Sequence, residues 1–124
     1  MRNLYRPATV LSAWFEHLPA QQLPHVKALY GLLQQEAPDL MTVVKWGAIV
    51  MLRDHFHALG IAPCRRAVHL QVFNGGAIAH RFRSLGAGGP GMRSLQLRYS
   101  LPLDLELVRE VVRASLAVVR APRN

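Results

Sequence analysis

Apolar positions recur at helical spacing in the first third of the chain. Val10, Leu11, Trp14 and Leu18 define one stripe and predict a short helix over residues 8–18. Val26, Leu29, Tyr30 and Leu33 define a second stripe. Pro24 suits the first turn of that helix, where a missing N–H costs nothing. Pro38 ends it, because the residue before a proline is pushed out of the α region. After Leu40 the period changes. Residues 42–46, 49–53, 56–61 and 66–73 read as four short strands, with "RDH" and "APCR" as tight turns between the later ones. Such short spacing favours antiparallel pairing, since parallel strands need a long crossover. Residues 74–93 hold six of the nine glycines and predict a long loop. "SLQLRYS" then alternates as a last strand, with Leu95, Leu97 and Tyr99 on one face. Asp104 is a good N-cap for a helix to about residue 120, with Leu105, Val108, Val112, Leu116 and Val119 as its stripe.

This order predicts an α+β fold: an antiparallel sheet of about five strands packed against N-terminal and C-terminal helices. The 124 residues fit one domain, 1–124, with its core at about 8–120. A hydrophobic fraction of 51% is enough for a real core. The single cysteine, Cys64, excludes an internal disulfide and a zinc cluster of several cysteines. "MRNLYRPATV" lacks the features of a signal peptide. No apolar stretch approaches the roughly 20 residues that span a bilayer. The expectation is a cytoplasmic protein without membrane contact.

Charge changes the picture most. Lys and Arg total 15 against 7 Asp and Glu, a net +8, and 13 of the 15 are arginine. Between Leu40 and Leu103 stand Lys45, Arg53, Arg65, Arg66, Arg81, Arg83, Arg93 and Arg98 against Asp54 alone. Guanidinium forks match carboxylates and phosphates. The expected partner is therefore an anionic small molecule or an acidic protein, and nucleic acid is reachable through non-specific charge. The plainer alternative is a solvated basic surface.

Other chemistry is poorly supported. "GAGGPG" at residues 86–91 fits G-x-G-x-x-G, but a strand follows it instead of a helix, and Pro90 removes a donor. A smaller anion nest of backbone N–H groups with Arg93 is the alternative use of this loop, and Arg81 or Arg83 could join it. His55, His57 and His69 invite a metal reading, yet Asp54 is the only nearby carboxylate to orient them. Cys64 lies beside Arg65 and Arg66 in what reads as an exposed turn, without an assigned base. No acid–base pair stands out.

"VVKWGAIVML" reads mainly as architecture. Val43, Val44 and Ile49 to Leu52 supply strand propensity. Gly47 allows a sharp bend between two strands. Trp46 is expected to cover the edge of the core, so that Trp46→Ala would cost about 3–5 kcal/mol. Lys45 alternates to the opposite face, toward solvent or a cleft.

"EAPDLMTVVKWGAIVM" resembles the Lys-Trp-Gly signature of the YdhG-like domain of unknown function, a family in which some members are described as frataxin-like iron chaperones. "LQVFNGGA", "GGPGMRSLQLR" and "LPLDLELVREVVRASL" follow the same pattern, so the resemblance spans about residues 15–119. It implies an antiparallel sheet flanked by terminal helices and says little about activity. Ile49 stands where the family often has proline. Iron handling relies on carboxylate surfaces, and the early helices offer only Glu16, Glu36 and Asp39. The resemblance and the residue chemistry together give a ligand-binding set of Lys45, Trp46, Gly75, Gly76, Gly88, Gly89, Met92 and Arg93, with no catalytic residue, metal or cofactor. The expected function is a non-enzymatic binding module for an anionic ligand or acidic partner, with a frataxin-like intracellular iron chaperone as the alternative.

Overall fold

The computed structural model describes residues 7–86 and 91–120. Two helices, α1 (Pro7–Glu16) and α2 (Leu23–Glu36), precede four strands: β1 (Met41–Lys45), β2 (Ala48–Arg53), β3 (Phe56–Pro63) and β4 (Ala67–Val72). Strand β5 (Arg93–Arg98) and helix α3 (Leu105–Arg120) follow. The five strands form one antiparallel sheet in the order β1-β2-β3-β4-β5. The fold class is α+β, as the periodicity predicted.

The register explains how the sheet has one packed face. Val44, Ile49, Ile61, Leu70 and Leu95 stand side by side across all five strands. Ile49, Ile61, Leu70 and Leu95 are buried with Val26, Leu29 and Leu33 of α2 and Val108 and Val112 of α3 in one cluster. Trp14 and Phe15 of α1 pack against the same cluster. Val119 of the expected α3 stripe has a side chain outside the described set. Successive strand residues point to opposite faces, so Lys45, Ala48, Ala62, His69 and Gln96 line the other face. Ala48, Val50 and Ala67 are buried on that face, outside the helix-packed cluster.

Two tight hairpins set this register. Lys45 pairs with Ala48 around Trp46 (φ 55°) and Gly47 (φ 73°). Arg53 pairs with Phe56 around Asp54 (φ 52°) and His55 (φ 82°). Positive φ at both central residues is the mark of a type I′ turn, whose twist matches that of the strands. Asp104 caps α3 as expected, its Oδ1 accepting from the Leu107 N–H at 3.1 Å.

The long loop is more ordered than its glycines suggested. Two 3₁₀ turns, Gly75–Ala77 and Ala79–Arg81, carry Ile78 and lead to Phe82 and Leu85, all three buried in the core. Asn74 ties the loop to α3: Ser115 Oγ donates to Asn74 Oδ1 at 2.6 Å, and Asn74 Nδ2 donates to the Ser115 carbonyl at 3.1 Å.

Glu36 joins α2 to α3. Its carboxylate accepts from Arg113 Nε at 2.7 Å and from Arg109 Nε at 3.3 Å, and its side chain is only 14% exposed. The Arg113 hydrogen bond, helped by Arg109, holds this carboxyl below the usual range against the opposing effect of burial. A depressed folded value means stability that is present above the ordinary carboxylate value of 4.5 and is lost as pH falls through the folded value. Glu36→Gln is expected to cost about 1 kcal/mol at neutral pH, within the range for bonds to charged groups after solvent screening. The difference from the parent should shrink in strong acid, which thermal melts at pH 7 and pH 3 would check.

Candidate functional site

The β1–β2 hairpin presents Lys45 and Trp46 differently from the sequence-based expectation. Trp46 is 75% exposed and does not anchor the core. The reason is its place in the turn itself, where a left-handed φ swings the indole off the strand. The buried area that would make Trp46→Ala costly is therefore missing. Lys45 and Trp46 also lie together instead of alternating apart: Lys45 Nζ sits 4.6 Å from the centroid of the Trp46 ring.

His57 completes this corner. Its ring stacks on Trp46 at 5.8 Å with 24° between planes. Its Nε2 lies 3.2 Å from Lys45 Nζ. An ammonium only donates, so Lys45 is the donor of this contact. Phe73 stands 5.3 Å beyond His57. This group lies on the sheet face that the helices leave open.

Gly75, Gly76, Met92 and Arg93 occupy the far edge of the sheet. Gly75 is buried directly against Arg93, and the Gly76 N–H donates to the Gly91 carbonyl at 2.8 Å. Arg93 pairs with Val72, which places it on the helix-packed face. Its Nη1 donates to the Gly86 carbonyl at 3.1 Å, so the guanidinium braces the loop. Met92 is exposed beside it. Gly88 and Gly89 lie outside the described residues. The structure thus brings Lys45 and Trp46 together, and Gly75 and Arg93 together, but sets the two pairs on opposite faces and opposite edges.

The three histidines of the metal reading do not converge. His55 is in the β2–β3 turn, His57 pairs with Leu52, and His69 pairs with Ala62 further along β3. Among the described residues there is no group of three His, Cys, Asp or Glu that could hold a metal ion. Cys64 is exposed, with its Sγ 3.7 Å from the Ala62 carbonyl.

A second region was not singled out from sequence. A groove of about 650 Å³ opens where β4 begins and β5 ends, lined by Gln21, Arg65, Arg66, Ala67, Gln96, Arg98, Tyr99 and Ser100. Three arginines and no carboxylate line it. Pairing of Ala67 with Arg98 places the Arg98 side chain on the open face, and the Tyr99 N–H donates to the Arg66 carbonyl at 3.1 Å. This fastens the β3–β4 turn beside the end of β5. Gln96 Nε2 lies 3.3 Å from His69 Nε2 along the same face. Tyr99 turns inward, its hydroxyl donating to the Cys64 carbonyl at 2.9 Å, and burial pushes that phenol up from its ordinary value.

Opposing charge is concentrated elsewhere. Arg53 pairs with Asp39, while Arg109 and Arg113 pair with Glu36. All seven carboxylates of the chain lie in helices, at the N-cap of α3, or in the α2–β1 and β2–β3 turns, and none lies in a strand. Among the described residues no carboxylate pairs with Arg65, Arg66 or Arg98.

No family model matches the sequence, and no curated protein matches it. The fold is nonetheless that of a known class. A crystal structure of a DUF1801-family protein, YdhG from Bacillus subtilis, superposes with a TM-score of 0.68 at 13% identity, covering 88% of this chain and 90% of that one. The shared feature is the fold, a YdhG-like arrangement of sheet and helices. Among the described residues no helix is long and apolar enough to cross a membrane.

Proposed function

We propose that this chain is a non-enzymatic binding module for an anionic ligand, seated in the groove of Arg65, Arg66 and Arg98. The observation that carries the reading is that three arginines, and no carboxylate, are among the residues lining one open groove. Guanidinium forks bind phosphate and carboxylate bidentately, and their charge is not lost at any physiological pH. Gln96 and Ser100 add neutral polar groups that can orient a bound oxyanion. The Lys45 and Trp46 corner belongs to the same face and extends the basic surface. Iron handling by a YdhG-like relative is the weaker reading, because the described residues offer no carboxylate cluster to hold a hard cation.

Heparin chromatography tests the location of the site. The parent protein is expected to be retained at low salt, and Arg65→Gln with Arg98→Gln should elute at clearly lower salt. Arg81→Gln with Arg83→Gln removes the same charge from elsewhere and should shift elution much less. Equal shifts for the two pairs would mean that net charge alone drives retention, and the groove reading would fail.

A further inference from the structure

Trp46 is the least explained residue of the fold. Its indole is 75% exposed, so burial does not account for it. Its φ of 55° is a conformation that bulky residues seldom adopt, and the left-handed region disfavours any residue with a Cβ. Asn-Gly is the preferred pair for such a turn, and Trp-Gly is not. Strain of this kind clusters where a side chain must be displayed for a purpose.

The surroundings say what the display suits. Lys45 Nζ stands 4.6 Å from the Trp46 ring centroid and is held by His57 at 3.2 Å. His57 stacks on the indole at 5.8 Å, with Phe73 behind it. An exposed aromatic surface with an adjacent fixed cation matches a base next to a phosphate. The same open face carries Arg98 on β5, with Arg65 and Arg66 at its end. Strands spaced about 4.8 Å apart put the two edges of the five-stranded face roughly 19 Å from each other. That span exceeds a single mononucleotide and suits a short run of nucleotides. No strand contributes a carboxylate that would repel the chain of phosphates.

We propose that the helix-free face binds single-stranded nucleic acid, with Trp46 as a stacking platform for a base. Lys45 and the three groove arginines hold the phosphates on either side. Stacking is tolerant of sequence, since every base has a π-face, and the cationic track follows the backbone. A duplex hides its bases, so the platform favours single strands. The proposal rests on the anionic-ligand reading and adds the class of ligand.

The test uses fluorescence anisotropy with labelled oligothymidylate, the matching duplex, and heparin as a polyanion without bases. Trp46→Asn removes the platform while installing the preferred Asn-Gly turn, so its melting temperature should equal or exceed that of the parent. The expected result is a loss of about 10-fold in oligothymidylate affinity for Trp46→Asn, with heparin affinity unchanged. Oligothymidylate binding equal to the parent's would overturn the stacking role. Preference for duplex over single strand in the parent would overturn the ligand class. If heparin binds in the groove and oligothymidylate binds no better, the ligand is another acidic partner and only this inference falls. If neither binds at low salt, the groove reading falls with it.

Discussion

Alanine at Gly75 is expected to lower the melting temperature by about 10 °C, whereas alanine at Gly31 should raise it by a few degrees. The two substitutions add the same methyl group and differ only in what it meets. A Cβ at Gly75 would lie 2.6 Å from Arg93 Cβ, 2.9 Å from its Cγ and 3.0 Å from its backbone nitrogen. The backbone of β5 cannot retreat without disturbing its pairing with β4. Overpacking of this kind costs typically about 1–3 kcal/mol, and the contact with a strand nitrogen places Gly75 near the upper end. About 4 °C per kcal/mol for a domain of this size converts that to the stated shift. Gly31 lies within α2 with nothing within 4 Å of the added Cβ. There alanine removes only the backbone freedom of the unfolded chain, a gain of about 0.4–1 kcal/mol. Differential scanning calorimetry on both variants decides the matter, and shifts of the same sign would contradict the packing described for Gly75.

Gly75 also shows how far the sequence could be read. Its glycine was visible, and the expected use was a place in the same ligand-binding set as Arg93. The structure shows that the pair is packed together for space, a relation that depends on how the loop folds back beside β5. The first four strands were legible as short apolar runs bounded by turn residues, and β5 from its alternation of packed and open positions. Helix ends were legible from Pro24, Pro38 and Asp104, whose effects are local. Trp46 was misplaced because tryptophan favours strands, and only a positive φ, invisible in sequence, moves it into the turn. Ile78, Phe82 and Leu85 did carry a signal: apolar residues at i, i+4 and i+7 inside the glycine-rich segment. The glycines around them masked that pattern. The arginine groove had no local signal at all. Arg65 and Arg66 stand over thirty positions from Arg98, and only the β4–β5 register, in which Ala67 meets Arg98, brings them together.

That register makes a quantitative expectation possible. Replacing Arg65, Arg66 and Arg98 together by glutamine should flatten the salt dependence of oligothymidylate binding by about 2 in the slope of log affinity against log salt. Each phosphate neutralised on a single strand releases counterions that contribute about 0.7 to this slope, and three arginines contribute accordingly. At low salt the loss of affinity is largest, because the released counterions then gain most on dilution into the bulk. Raising salt from about 50 to 200 mM should narrow the gap between parent and variant by roughly 20-fold. All three side chains are exposed, so the fold should tolerate their replacement within about 0.5 kcal/mol per site, the usual range for surface positions. A parallel loss of affinity at every salt concentration would show that the arginines act through shape or hydrogen bonding and not through phosphate charge. An unchanged affinity and slope would place the polyanion somewhere else on the molecule, with the Arg81 and Arg83 pair at the rim of the 3₁₀ turns as the next cations to remove.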